Sequence, residues 1–169
     1  MNNKMKSIDN INNLNKSDFL TIFGNVFEKT DWIAEKVFGL KPFKDFEDFS
    51  SKIFDLYDSS QKKNILLILN SHPELAVAKK LTMESKLEQA GAKLNECSTE
   101  EFEEFKKLNL EYKNKFGFPF IIAVKGKNKN EILNNFRQRI LNDIESEFEE
   151  AKNQVKKIAT FRLNEIINQ

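Results

Sequence analysis

The sequence predicts an all-α fold, a single irregular bundle of about eight helices, and three observations carry that reading. Apolar residues recur at three- and four-residue intervals along most of the chain. Glycine (5) and proline (3) are scarce and fall between those periodic stretches, as punctuation. The one segment with strand-like composition, Phe118–Val124, has no neighbouring segment to pair with, so it reads as a buried ordered loop or a helix start.

Taken in order, residues 1–16 are rich in Asn and Lys and read as a flexible tail, leaving 17–169 as the domain. Ser17 or Asp18 can cap a helix with Phe19, Ile22, Phe23, Val26 and Phe27 on one side. Thr30 can cap Asp31–Phe38, which puts Trp32, Ile33 and Val37 inward and stops at Gly39. A third helix runs from Phe46 to Tyr57. A fourth, from about Ser60 to Asn70, is apolar almost all round at Ile65–Leu69, as a central helix would be.

Ser71-His72-Pro73 breaks that helix, because proline pushes the preceding residue out of helical geometry. Thr82 caps the helix that contains Ser85 to Gln89. Ser98 or Thr99 opens the next, with Glu101 as capping-box partner and Gly117 as its end. No glycine or proline occurs from Asn128 to Gln169, but one straight helix of about 40 residues would span roughly 60 Å. A break near Asn142, giving two helices, suits a domain of this size better.

Composition excludes several classes. Lys+Arg (27) nearly cancels Asp+Glu (26), so no strong field exists to attract nucleic acid or an anionic membrane. The longest apolar runs fall far short of a membrane span, and the N-terminus lacks the apolar stretch of a secretory signal. A single cysteine, Cys97, rules out an intrachain disulfide and argues for a reducing, cytoplasmic setting. One cysteine and one histidine, 25 residues apart, do not make a metal site.

Any imidazole chemistry must use His72, the only histidine. Its position fits two readings. It is a helix-end histidine favoured by the helix dipole, or a group aimed from a backbone break into a cleft, where it titrates near neutrality. Ser85, Glu88 and Gln89 share one helix face and offer hydroxyl, carboxylate and amide. That face suits a small, highly polar ligand, although such residues also make ordinary solvated faces. The small residues Ala90, Gly91 and Ala92 beside it would allow close helix approach. Buried irregular backbone in Phe118–Val124 needs hydrogen-bond partners, and a ligand rich in ureido and carboxylate groups is one candidate. Of the three arginines, Arg137 and Arg139 read as surface ion pairs, and Arg162 could grip a carboxylate.

These pieces, in their order, resemble the OHCU decarboxylase family, whose substrate is 2-oxo-4-hydroxy-4-carboxy-5-ureidoimidazoline (OHCU), in the degradation of urate to allantoin. They are Phe27-Glu28 with Trp32-Ile33-Ala34, Lys41-Pro42-Phe43, and His72-Pro73-Glu74-Leu75-Ala76. They continue with Ser85-Lys86-Leu87-Glu88-Gln89-Ala90-Gly91, then Asn109 with Tyr112. The run Lys115 to Gly126, Arg139, and Ile158 to Leu163 complete them. The resemblance covers about residues 17 to 167.

It implies an all-helical carboxy-lyase that needs no cofactor or metal, a homodimer with a small-molecule substrate; charge balance and the short apolar runs already speak against a nucleic-acid or membrane partner. It makes His72 the catalytic acid/base, with Glu88 beside it. It places Pro73, Ser85, Lys86, Leu87, Gln89, Phe120, Ile121, Ile122, Ala123, Val124 and Arg162 at substrate-contacting positions. Carbon dioxide leaves C4 and the imidazoline system absorbs the electrons, with backbone N–H groups around Ile122–Val124 stabilising the charge. The chain departs from the family pattern in having few residues between His72 and Ser85, where Val77-Ala78-Lys79-Lys80 stands. It also ends without a Ser-Lys-Leu peroxisomal signal. A helical binding module on the same scaffold, with lost or altered activity, is the alternative reading.

Overall fold

The computed structural model describes residues 5–76 and 81–167. Among these the chain forms nine α-helices and one short 3-10 helix, with no strand. It divides into two compact units, one of Met1–Ile68 with Lys156–Gln169 and the other of Leu69–Val155. Both units are built of helices without strands among the described residues, the all-α class expected from the sequence. The boundaries fall inside the helices Lys62–Ser71 and Ile144–Ile167.

The first unit begins with α1 (Ile8–Asn12), inside the segment expected to be a loose tail. Ile11 is fully buried there, and Asn12 makes a two-way bond to the Phe43 backbone. Its Nδ2 donates to Phe43 O at 2.9 Å and its Oδ1 accepts from Phe43 N at 2.8 Å. Five residues with a Ser7 capping box are too short to give a periodic signal, so the sequence hides this helix.

Helix α2 (Lys16–Phe23) is capped by Asn15 rather than Ser17 or Asp18, the Asn15 side chain accepting from Asp18 N. Asparagine serves as well at that position, and Asp18 adds negative charge in the first turn. Helix α3 (Trp32–Phe38) starts at Asp31 without a side-chain cap, because the buried Thr30 hydroxyl donates instead to Glu28 O at 2.9 Å. Ile33 and Val37 point inward as expected, and Trp32 is half-buried. Helix α4 is Phe46–Asp58, capped by Asp45. The rings of Phe19, Phe23, Phe38, Phe43 and Phe49 form one cluster of edge-on and tilted pairs in this unit. In α5 (Lys62–Ser71), Ile65, Ile68 and Leu69 are buried but Leu67 is 66% exposed, so the helix is one-sided, not central.

In the second unit, α6 (Met83–Gly91) has the expected Thr82 cap. A 3-10 helix, Leu94–Glu96, follows. Helix α7 (Thr99–Phe116) has the expected Ser98–Glu101 capping box and ends at Gly117, whose φ of 80° lies in the left-handed region that glycine enters most freely. Phe118–Val124 is irregular and buried throughout, apart from any sheet, as the missing partner strand implied. Helix α8 (Lys129–Arg139) and helix α9 (Ile144–Ile167) are separated at the expected break near Asn142, and Asp143 caps α9. Lys115 closes the end of α8 by donating to Ile140 O and Asn142 O, at 2.7 and 2.8 Å.

Candidate active site

The second unit holds the loop after α5, helix α6 against that loop, and the irregular segment 118–124, which helix α7 also contacts. His72 follows the last turn of α5, its own N–H reaching Leu69 O at 3.2 Å, and only 8% of the residue is exposed. That burial separates it from the solvated helix-end histidine the position also allowed. Pro73 and Glu74 are half-buried, Leu75 and Ala76 buried. Val77–Lys80, the short stretch singled out in the sequence, lies outside the described residues.

Thr82 sets where α6 begins, and the 100° step per residue then decides what each side chain faces. Ser85 and Gln89, four apart, are 3% and 7% exposed. Glu88 lies on the edge of that face and is half-buried, whereas Lys86 and Leu87 are exposed on other sides of the helix. Gly91 has open space where a Cβ would stand and Ala90 is exposed, so of the three small residues only Ala92 is buried.

The amide of Gln89 reaches the loop after His72 at both ends. Its Oε1 accepts from Ala76 N at 3.1 Å and its Nε2 donates to Glu74 O at 3.3 Å. From α7, Asn109 Nδ2 donates to Leu75 O at 3.0 Å. One turn on, Tyr112 packs its ring edge-on against Phe120 at 5.4 Å. Helix α7 therefore touches both the His72 loop and the 118–124 segment from a single face.

Phe120, Ile121, Ile122, Ala123 and Val124 are all buried. Their backbone is held at two points. Arg139 Nη1 donates to Ile121 O at 2.7 Å, and Ala123 N–H donates to Gln154 Oε1 at 2.9 Å. The N–H groups of Ile122 and Val124 make no hydrogen bond to another of the described residues.

Arg139 is not the surface ion pair expected of it, whereas Arg137 is, pairing with Glu104 in solvent. The Arg139 guanidinium is buried over the Phe120 ring and donates to Glu147 Oε1 from Nε (2.9 Å) and Nη2 (2.6 Å). Glu147, fully buried, also accepts from the Tyr112 hydroxyl at 2.5 Å and from Asn142 Nδ2 at 3.0 Å. Four donors explain how a carboxylate survives without water.

The sequence reading missed Glu147 and Gln154. A signal existed, since both stand among Ala151, Val155 and Ile158 on the apolar stripe of α9, where a polar residue needs a buried partner. Arg162 belongs to the first unit. It is 4% exposed there, pairs with the fully buried Glu28 at 2.8 Å and donates to Asn25 O at 2.9 Å.

Burial, then the hydrogen bond to Glu147 and its charge, push the Tyr112 phenol well above its ordinary value of 10.0. A raised acid favours the folded state while protonated, so this contribution is intact below about pH 10 and fades as pH climbs beyond it. Tyr112→Phe is expected to start from a lower stability, by about 1–3 kcal/mol, because Glu147 loses a donor. It should then lose less than the parent between neutral and strongly alkaline pH. Urea denaturation across that range checks this.

The family model described as OHCU decarboxylase matches residues 12–164. The chain belongs to the OHCU decarboxylase family. It is 31% identical over 159 residues to the 2-oxo-4-hydroxy-4-carboxy-5-ureidoimidazoline decarboxylase of Haloferax volcanii, covering 94% of this chain and 95% of that one. It is also 36% identical over 165 residues to the uric acid degradation bifunctional protein of Bacillus sp. (strain TB-90), covering 98% of this chain. The chain spans 33% of that relative's length. A crystal structure of an OHCU decarboxylase in the presence of (S)-allantoin superposes with a TM-score of 0.73, covering 86% of this chain and 97% of that one. At 22% identity that likeness shows the shared fold of the OHCU decarboxylases.

Proposed function

We propose that this OHCU decarboxylase family member converts OHCU to (S)-allantoin without a cofactor, with His72 as acid/base and Glu88 beside it. Family membership supports the reaction. The observation that carries the residue assignment is the burial of the only histidine in a loop held against the Ser85–Gln89 face.

The chemistry asks little of a cofactor. Loss of CO2 from C4 of OHCU leaves an electron pair, which the adjacent C5=N bond of the ring accepts as its nitrogen takes up a proton. The C4 hydroxyl then gives up its proton as C4 becomes a carbonyl, and C5 takes a proton on one face. Net, CO2 departs and one proton replaces it. The protein has to hold the carboxylate in a dry pocket, stabilise charge on the ring and direct the C5 proton to one face. Buried Ser85 suits the ureido and ring polar groups, and the N–H groups of Ile122 and Val124 suit the developing negative charge. Imidazole is fitted to moving a proton at neutral pH. Pro73, Phe120, Ile121 and Ala123 complete the walls in this reading. Lys86, Leu87 and Arg162, at substrate-contacting positions by resemblance, stand respectively exposed, exposed, and paired with Glu28.

The test generates OHCU in situ from urate with the preceding enzymes and follows the chiroptical signal of allantoin. The expected result is a single enantiomer formed faster than spontaneous racemic decay. No acceleration over that decay overturns the proposal. The homodimer implied by the resemblance and the cytoplasmic setting suggested by the single cysteine belong to the same reading, and light scattering at micromolar concentration checks the first.

A further inference from the structure

We propose that Gln89 and Asn109 are positioning residues, which aim His72 by clamping the backbone of residues 74–76. The inference rests on the role proposed for His72. Three consecutive residues of this loop are each tied by a hydrogen bond to a buried amide side chain, from two different helices. These are Glu74 O and Ala76 N to Gln89 on α6, and Leu75 O to Asn109 on α7. The clamp begins two residues after His72, with only the rigid Pro73 ring between. On its other side His72 is anchored to α5 through Leu69 O. The histidine backbone is thereby fixed from both directions.

Two details indicate that the amides serve the loop and not merely the packing. Ala76 has φ of 53°, in the left-handed region that a non-glycine residue enters at a cost, and its N–H is the donor held by Gln89. Asn109 is 2% exposed, and its Oδ1 has no hydrogen-bond partner among the described residues. A buried amide with one end unmatched is a poor packing choice where leucine has nearly the same shape. What asparagine supplies there is the bond to Leu75 O.

A clamp of this kind predicts a loss in kcat rather than in substrate affinity, since misplacing a catalytic group by an ångström slows the chemistry. With full-length protein, Gln89→Met and Asn109→Leu are each expected to lower kcat about tenfold or more while KM changes less than about threefold. Because the chain has one histidine, the 15N–1H spectrum of the free protein shows one imidazole. Its resonances and titration midpoint should move in both variants, with far-ultraviolet circular dichroism unchanged. An unaltered kcat overturns the clamp. So does a raised KM with unmoved imidazole signals, which would make Gln89 a direct substrate contact.

Should either variant fail to fold, hydrogen exchange in the unmodified protein decides. The Ala76 amide is expected to be strongly protected, and fast exchange there overturns the clamp. Loss of activity in His72→Ala with no effect from the clamp variants would sink this inference alone. Retained activity in His72→Ala would sink the underlying assignment.

Discussion

His72→Ala is expected to cut the rate of (S)-allantoin formation by about 10²–10⁴-fold, the range that a positioned acid/base contributes. The loss should appear in kcat with KM little changed, because an imidazole that moves a proton acts mainly in the transition state. His72→Asn, close in size and able to hydrogen-bond but unable to titrate, should fall to the same level. Parallel rates for both variants and the parent would remove the role assigned to the histidine. Folding should survive the change, since the truncated side chain stands in a loop whose backbone is tied independently by Gln89 and Asn109.

The largest stability effect is expected at Arg139. Arg139→Met removes two of the four donors to a fully buried carboxylate and the donor to Ile121 O. Breaking a buried pair from one side costs about 3–5 kcal/mol, against a typical total of about 5–15 kcal/mol. Urea denaturation should show the midpoint displaced by a large fraction of its value. The double variant Arg139→Met with Glu147→Leu should recover part of the loss, because no charge is then left buried alone. Equal stability of the two variants would mean that the carboxylate is relieved some other way. Arg139→Met should also disturb catalysis more than a remote destabilising change does, since Ile121 adjoins the amides of Ile122 and Val124.

The contrast between Arg137 and Arg139 shows what a sequence can and cannot disclose. Two residues apart on one helix, they have similar local surroundings, yet one is in solvent and the other in the core. The helical period sets Arg139 on the buried stripe of Ile132, Leu133 and Phe136 and Arg137 off it, but the carboxylate that receives a buried guanidinium there is a tertiary property. Signals that act within one turn were readable: the Thr82 cap, the Ser98–Glu101 box, the Gly117 stop and the break before Ile144. The short α1 and the true start of α2 were not, since Asn15, Ser17 and Asp18 all make good caps and only packing chooses among them. For the site, residue types and their order revealed the histidine, the α6 face and the irregular segment. The hydrogen bonds that join them, through Gln89, Asn109, Gln154 and Arg139, link residues 13 to 34 positions apart and leave no local trace.

The four donors around Glu147 carry a consequence for how this unit assembles. Tyr112 comes from α7, Arg139 from α8 and Asn142 from the turn before α9, the helix that bears the carboxylate. A partly assembled state lacking any one of these elements would hold a desolvated charge short of its donors, and so lie high in free energy. Helices α7 and α8 and the adjoining part of α9 are therefore bound into one all-or-none step, and partial unravelling from any of them is suppressed. The carboxylate acts as a cooperativity lock, trading tolerance of substitution for a sharply defined native state.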